Sequence, residues 1–341
     1  MASGEDARSS TAPIISKVDL RGLAPGTQGW AEARAAVTAS MEAVGAVLVS
    51  HDALGADLRQ ALFGRAMLEF FALPLDVKRR LVSGSVNGYI ERSRRAGLPA
   101  YESVRIWEKT TPHGGARNLG DVVWPRGNPE FCETVGTFAK NMTGLERTVG
   151  TMILEGLGVR QEHVDAHHES VAHNVRLSRY GTLPEMGATD VSMQVHRDCT
   201  VLTVVVQHQV EGLEVQTEDG SWVPVPPEPN TVAIVAGEML TGTVQSDRYS
   251  KILSCVQLVT NGRVPACVHR VRTPSNRERF SVQFVSMPKD GFAVRPLDEL
   301  VDGDYPRQYN PCNFSEYVDF RFGAGAGRKL SDTLKAFCGT M

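Results

Sequence analysis

The sequence predicts a mainly β fold with flanking helices: a jelly-roll (double-stranded β-helix) core with a helical N-terminal region and a C-terminal helix. Short strand-like runs separated by turn residues follow one another between Asn174 and Val285, which is typical of antiparallel sheets. A long amphipathic helix precedes them. Asn128 and Pro129 suit its N-cap and first position, and apolar residues recur at spacings of three and four until Gly156.

Composition narrows the class of protein. The chain has 341 residues, 42% of them hydrophobic, and a formal charge of −3, which suits one large domain or two closely packed ones. The near-neutral charge does not favour a nucleic-acid partner, and no apolar run is long enough to span a bilayer. The six cysteines form no C-x-x-C pair and are typical of reduced thiols. We therefore expect a cytoplasmic protein, and we expect it to be a monomer.

The N-terminal region alternates strands and helices. The expected elements are a strand at 13–20, a helix at 30–44, a strand at 46–50 and a helix at 56–71. The stretch from Asn87 to Ile106 is predicted to be a loop, in which the basic cluster Arg92, Arg94 and Arg95 is solvated. Tyr89 and Tyr101 are either pocket residues or packing aromatics.

The expected division of the chain has five parts. These are a disordered tail at 1–12, an N-terminal region at 13–125, a support helix and connector at 126–170, a jelly-roll core at 171–290 and a C-terminal segment at 291–341 that closes with a helix at 329–337.

His196 and Asp198 suggest a metal site. They lie two positions apart among strand formers, and residues i and i+2 of a strand point to the same face. His269, on a second strand-like run, is the best third ligand. Two His and one carboxylate form the facial triad of non-haem Fe(II) oxygenases. The alternatives are a core histidine with a turn-capping aspartate, or a zinc hydrolase on the same ligands.

Arg279 and Ser281 are a second i, i+2 pair, ten residues beyond His269. An Arg fork helped by a hydroxyl suits the far carboxylate of a dicarboxylic cosubstrate. The order His-x-Asp, distant His, Arg-x-Ser resembles the plant-type 2-oxoglutarate/Fe(II)-dependent dioxygenases. The resemblance extends from about Pro13 to Cys338 and is closest to the AOP-like and auxin-oxidase-like branch.

This resemblance implies that His196, Asp198 and His269 hold Fe(II), while Arg279 and Ser281 bind 2-oxoglutarate. Tyr180 matches the Tyr of the family's Asn-x-Tyr motif, but Ser178 stands where Asn is usual. The implied reaction uses O2, with ascorbate as reductant, and releases succinate and CO2 while oxidising a small plant metabolite, most simply by hydroxylation. The alternative is a jelly-roll binding protein that retains the triad but has lost turnover.

Three further stretches carry predictions. His196 and His269 are 73 residues apart, more than the resemblance leads us to expect, so residues 241–259 are predicted to be an inserted loop or translated intron. His163, His167 and His168 are predicted to lie on a solvated helix. Candidates for apolar pocket lining, or plain barrel core, are Met186, Val191, Met193 and Phe284.

Overall fold

Two antiparallel sheets form the centre of the protein. The computed structural model describes residues 15–81, 88–92, 101–108, 114–182, 191–239, 258–274, 276–289, 293–322 and 333–340. The strands, in chain order, are β1 (Lys17–Asp19), β2 (Ala46–Ser50), β3 (Gly88–Arg92), β4 (Tyr101–Glu108), β5 (Val171–Tyr180), β6 (Val191–His196), β7 (Leu202–Gln207), β8 (Leu213–Gln216), β9 (Trp222–Pro224), β10 (Thr231–Ala236), β11 (His269–Arg272), β12 (Arg279–Pro288), β13 (Ala293–Val294) and β14 (Cys312–Asn313).

The larger sheet has the order β1-β2-β10-β7-β12-β5-β4-β3, and the smaller has the order β6-β11-β8-β9. Neighbouring strands in both are antiparallel except β1 and β2. Val205 and Val235 of the larger sheet share one apolar cluster with Leu213 and Val215 of the smaller, so the two sheets face each other. The predicted jelly roll with flanking helices is confirmed.

Helices flank the larger sheet. They are α1 (Trp30–Val44), α2 (Ala56–Ala61), α3 (Met67–Ala72), α4 (Leu75–Lys78), α5 (Gly114–Val123), α6 (Pro129–Gly156), α7 (Gln161–Ser170), α8 (Phe314–Phe322) and α9 (Thr333–Cys338). A π turn at Leu62–Ala66 joins α2 to α3, so the predicted helix at 56–71 has an irregular centre. None of the helices in the described ranges combines the length and apolar character needed to cross a bilayer.

Helix α6 supports the barrel. The Asn128 side chain accepts a hydrogen bond from the Phe131 amide at 2.9 Å, as expected for an N-cap. Its apolar stripe, which includes Phe138 and Met142, is fully buried and packs on strands β5 and β7. Burying such a stripe provides most of the stability of a helix of this kind, because helix propensity alone is weak.

Alternation along the strands separates two faces of the larger sheet. Val175, Leu177 and Phe284 belong to the core on the helix side, and Phe284 stacks on His173 at 4.9 Å. Phe284 is therefore core, whereas Val191 and Met193 are half-buried on β6. Residues such as Tyr180 and Ser281 point to the opposite face, towards the interior between the sheets.

The predicted loop between Asn87 and Ile106 is wrong where the structure describes it. Strands β3 and β4 pair in register and extend the larger sheet at one edge. Tyr89 is buried there, and its hydroxyl donates to Glu102 at 2.7 Å, beside the buried ammonium of Lys78. Charged residues on both strands hide the period-two pattern: β3 is the edge strand and meets solvent, and its neighbour β4 also carries Glu102 and Arg105.

The predicted solvated helix at α7 is also partly wrong. His167 and His168 are buried against the neighbouring helix, and His168 Nε2 lies 3.0 Å from the hydroxyl of Thr151. Burial lowers the pKa of His167 to about 4, so this imidazole is neutral. His163 instead contacts the carboxylate of Glu299 through Nδ1. The polar composition of this helix predicted exposure, but imidazoles can be buried when they are neutral.

Most of the predicted insertion lies outside the described residues, as do residues 1–12, Arg94, Arg95 and Met186. Of the insertion, Leu258 and Val259 are described, and both are buried in the main core. The Val259 amide lies 3.4 Å from the carbonyl oxygen of Met239, so the chain resumes beside the point at which it departs. The segment that leads to His269 is consequently not displaced from the barrel.

The division of the chain into five parts stays a prediction.

The C-terminal segment closes with α9 (Thr333–Cys338), near the predicted helix at 329–337. Helix α8 (Phe314–Phe322) was not expected, because the helix at 329–337 was the one helix predicted for this segment.

Gly45 couples helix α1 to the segment that leads to His269. It ends α1 at φ 65°, and a Cβ there would stand 2.0 Å from the carbonyl oxygen of Pro265. We expect Gly45→Ala to lower the free energy of unfolding by about 2 kcal/mol or more, through left-handed strain plus overpacking. Urea denaturation followed by circular dichroism measures this loss.

Gly22 provides the control. Its φ is 70°, but no other atom lies within 4 Å of the place that a Cβ would occupy, so Gly22→Ala incurs strain alone, about 1 kcal/mol. Equal losses in the two variants would show that the Gly45–Pro265 approach does not constrain the fold.

Candidate active site

Three potential ligands converge where the two sheets meet. The ligand atoms of His196, Asp198 and His269 all lie within 4.8 Å of one another. Asp198 Oδ1 is 3.6 Å from His196 Nε2 and 4.0 Å from His269 Nε2. The structure thus brings together the three residues that the sequence singled out for a metal site.

The strands position two of them directly. His196 ends β6 and His269 begins β11, and the two are cross-strand partners. Asp198 lies beyond the end of β6, so the expectation that one strand carries both His196 and Asp198 is wrong. Convergence comes from a turn after the strand and not from strand alternation.

Three consecutive amides hold that turn. The N–H groups of Gly237, Glu238 and Met239 donate to the carbonyl oxygens of Val201, Asp198 and Thr200 at 2.8–3.0 Å. A Cβ at residue 237 would lie 2.2 Å from the Thr200 oxygen, so only glycine allows the approach. The turn is therefore fixed by backbone contacts from the end of β10.

Both imidazoles are oriented by backbone carbonyls. Nδ1–H of His196 donates to Gln194 at 2.8 Å, and Nδ1–H of His269 donates to Cys267 at 3.1 Å. Each Nε2 is then left with a lone pair facing Asp198, the arrangement usual for metal-binding histidines. Burial, reinforced by His269, lowers the pKa of His196 to about 4, which keeps it neutral.

Asp198 remains ionised in spite of its surroundings. Burial raises its pKa, but His269, His196 and a hydrogen bond from Thr203 outweigh burial and hold the pKa below its usual value. The Thr203 hydroxyl donates to Oδ2 at 2.8 Å, leaving Oδ1 towards the imidazoles. Two imidazole nitrogens and one carboxylate oxygen that share a space suit ferrous iron with open coordination positions.

Arg279 forms a second site on the inner face. It is 1% exposed, and its Nη1 and Nη2 donate to Ser281 Oγ at 3.2 Å and Gln207 Oε1 at 2.8 Å. The buried Nε has no acceptor among the described residues, and no described carboxylate pairs with the guanidinium. Tyr180 lies against it, with Cζ 5.0 Å from the ring centroid. An anion would satisfy this buried charge.

Ser178, at the position where the family usually has Asn, is connected to Ser281 through Gln283. Its hydroxyl donates to Gln283 Oε1 at 3.2 Å, and Gln283 Nε2 donates to Ser281 Oγ at 3.4 Å. Tyr101 lies at the same place, with its hydroxyl 3.3 Å from Ser178 Oγ and its ring 5.0 Å from that of Tyr180. The substitution at 178 therefore leaves a polar network around Ser281.

The sequence did not single out several residues that shape these sites. Thr203 and Gln207 lie on β7 within an apolar run, and their only signal is that both are polar and, being four positions apart, on the same face of a buried strand. Gly212 is a further case: a Cβ there would lie 2.9 Å from Arg279 Nε, so its small size leaves room beside the guanidinium.

Helix α8 reaches the ligand turn from the C-terminal segment. Arg321 donates to the carbonyl oxygen of Arg197 at 3.0 Å and forms an ion pair with the buried Glu238. Tyr317 also donates to Glu238, at 2.7 Å. Because Arg197 separates His196 from Asp198, this network joins the end of the chain to the metal-site turn.

Comparisons with known proteins identify the family of this chain. The profile of the 2OG-Fe(II) oxygenase superfamily matches residues 170–288. "Probable 2-oxoglutarate-dependent dioxygenase AOP1.2" from Arabidopsis thaliana is 30% identical over 332 residues, covering 95% of each chain. The chain belongs to the 2-oxoglutarate-dependent dioxygenase family. Its cofactors are accordingly Fe(II) and 2-oxoglutarate.

Two further relatives of this dioxygenase are informative. The crystal structure of the rice dioxygenase for auxin oxidation superposes with a TM-score of 0.76 at 25% identity, covering 96% of this chain and 100% of that one. A protein of A. thaliana named "Probable inactive 2-oxoglutarate-dependent dioxygenase AOP2" is 25% identical over 412 residues, covering 96% and 97% of the two chains. The family therefore includes a protein described as inactive.

Thr203 offers a test of how Asp198 is oriented. Thr203→Val keeps the shape of the side chain but removes the hydrogen bond to Oδ2, so affinity for Mn(II) or Fe(II) should fall by about 10- to 100-fold. Anaerobic titration calorimetry measures the affinity for the metal ion. Thr148→Val makes the same change on α6, where the hydroxyl donates to Gly144 at 3.0 Å, and should keep the affinity. Equal affinities in both variants would contradict this role.

Arg321 offers a test of the C-terminal network. Arg321→Gln leaves the buried Glu238 without its cation and should lower the free energy of unfolding by about 3 kcal/mol. Arg295→Gln breaks an exposed pair with Asp298 and should cost less than about 1 kcal/mol. Adding Glu238→Gln to Arg321→Gln should recover part of the loss in denaturation curves. No recovery would mean that the ion pair is not the cause.

Proposed function

We propose that this dioxygenase oxidises a small plant metabolite, most simply by hydroxylation, with release of succinate and CO2. The observation that carries the proposal is the convergence of two imidazoles and one carboxylate, together with a buried guanidinium that pairs with no described carboxylate, on the inner face of the same barrel. A ligand set of this kind and a carboxylate anchor are the two requirements of 2-oxoglutarate chemistry.

We assign His196, Asp198 and His269 as the iron ligands. The donor set fits Fe(II), since it combines nitrogen and carboxylate ligands and leaves coordination positions open. Iron with 2-oxoglutarate bound supplies the activation of O2 for attack on a C–H bond, and ascorbate serves as the reductant. The carbonyls of Gln194 and Cys267 keep both Nε2 atoms available for the metal.

Arg279, Ser281 and Tyr180 are assigned to the far carboxylate of 2-oxoglutarate. The fit rests on the orphaned Nε of Arg279, a buried donor that a carboxylate oxygen would satisfy. Burial lowers the pKa of Arg279 below its ordinary value, yet an arginine stays charged at neutral pH. Tyr101 and Tyr180, both buried, exclude water from the anchor and so strengthen its attraction for an anion.

The substrate class follows from the relatives. The rice structure is named for auxin oxidation, and the relatives from A. thaliana are AOP-type dioxygenases, so a small plant molecule is the simplest choice. We propose a cytoplasmic monomer without nucleic-acid or membrane partners. The free thiols of the described cysteines and the absence of a spanning helix among the described residues support this.

A second candidate is a binding protein with the triad but without turnover, because one relative is described as inactive. Purified protein with Fe(II), ascorbate and 2-oxoglutarate separates the two: an active enzyme should release succinate, slowly without substrate and faster with a plant extract. Product masses should shift by one oxygen. Activity that is retained with zinc would favour a hydrolase instead.

Arg279→Lys tests the carboxylate anchor. Lysine keeps the charge but loses the fork, so the KM for 2-oxoglutarate should rise by about tenfold or more. The measurement is succinate formation against 2-oxoglutarate concentration. Arg179→Lys is the control. Arg179 lies on β5 and points away from the anchor, to the opposite face of the sheet, where it pairs with Glu278. An unchanged KM in Arg279→Lys would refute the assignment.

A further inference from the structure

The inner face of the larger sheet is organised in rows of directly paired residues. Four rows cross strands β4, β5, β12 and β7 between the carboxylate anchor and the metal site. They are Tyr101–Tyr180–Arg279, then Ser103–Ser178–Ser281–Gln207, then Arg105–Arg176–Gln283–Val205, and last Trp107–Asn174–Val285–Thr203. Successive rows are two residues apart, or about 7 Å along a strand.

The third row lies between the two proposed sites. On one side is the serine row next to Arg279, and on the other is the row of Thr203, which binds Asp198. Arg105 and Arg176 face each other directly in this third row. Their Cβ atoms are therefore about 5 Å apart. Two guanidinium groups thus project into the space between the cosubstrate anchor and the metal ligands.

Neither arginine has an anionic partner within the part of the chain that the structure describes. Two nearby arginines are paired with carboxylates: Arg179 of β5 with Glu102 and Glu278, and Arg270 of the smaller sheet with Glu214. Asp198 is engaged by the two histidines and Thr203. Like charges directly opposite each other in a sheet are destabilising, yet the fold maintains this positive pair without an ion pair to any described carboxylate.

Electrostatics are consistent with this placement. Burial, with the like charge of Arg176, lowers the pKa of Arg105 to about 10, so the group remains protonated at neutral pH. Arg176 is close enough to Asp198 to contribute to its lowered pKa, although burial acts against that shift. Both arginines are half-buried, and in such surroundings an anion is attracted more strongly than in bulk water.

We propose that Arg105 and Arg176 form a subsite for a carboxylate group of the oxidised substrate, so that the enzyme acts on small organic acids. The proposal rests on the proposed function, because it assigns the substrate class to that same site. Two opposed guanidinium forks match the two oxygens of one carboxylate. Anchoring that end fixes which C–H bond of the substrate faces the metal ligands.

Matched acid and amide probes test the subsite. Indole-3-acetate and phenylacetate, each with its uncharged primary amide, are titrated into the complex with Fe(II) and 2-oxoglutarate under anaerobic conditions. The wild-type protein should bind each acid about tenfold or more tightly than its amide. Arg105→Gln and Arg176→Gln should each reduce that preference by about tenfold. The corresponding Lys variants, which keep charge without the fork, should give intermediate preferences.

Arg179→Gln removes a charge from the same strand on the opposite face and should retain the wild-type preference. The proposal is overturned if the wild-type protein shows no preference for the acids, or if the Arg105→Gln/Arg176→Gln double variant keeps it. Weaker binding of 2-oxoglutarate with unchanged preference would assign the pair to the cosubstrate and would also overturn the proposal. Failure to convert 2-oxoglutarate to succinate would instead count against the proposed function, since probe binding is measured separately.

Discussion

Three backbone hydrogen bonds hold the candidate active site together. The amides of Gly237, Glu238 and Met239 donate to three carbonyl oxygens of the turn from Asp198 to Val201, which follows β6. Together with the hydrogen bond from Thr203, they keep the carboxylate beside the two imidazoles, which the pairing of β6 with β11 already fixes. The approach is possible because residue 237 has no side chain. Metal-site geometry in this protein therefore depends on backbone packing more than on any single side chain.

The two faces of the larger sheet carry different residues: one face packs in the apolar core, and the other carries the polar residues of the candidate active site. The outward face packs on α6 through residues such as Leu177 and Phe284. The inward face carries polar residues that would be costly to bury unless they were paired or bound a ligand. Arg279 is the extreme example, since it is fully buried and keeps one unsatisfied donor. The same alternation that builds the core thus collects the polar groups in one cavity.

Local patterns in the sequence predicted some elements of this protein correctly and missed others. The motif residues and the long helix from Pro129 were recognisable because caps, glycines and apolar periodicity are local signals. Strands β3 and β4 were missed because both carry charges that resemble a loop, although only β3 is an edge strand. The burial of His167 was missed because its composition is polar, although a neutral imidazole packs well. Arg105 and Arg176 are 71 positions apart in the chain, and only sheet register makes them neighbours.

The sequence by itself determined the family, the fold class and the identity of the candidate ligands, because each depends on residue types in a fixed order along the chain. Tertiary structure alone decided how Asp198 reaches the histidines, since a turn held by distant amides replaced the expected strand alternation. It also decided which polar residues share the cavity. Those relations arise from pairing between strands far apart in sequence, and no local pattern of residues carries that information.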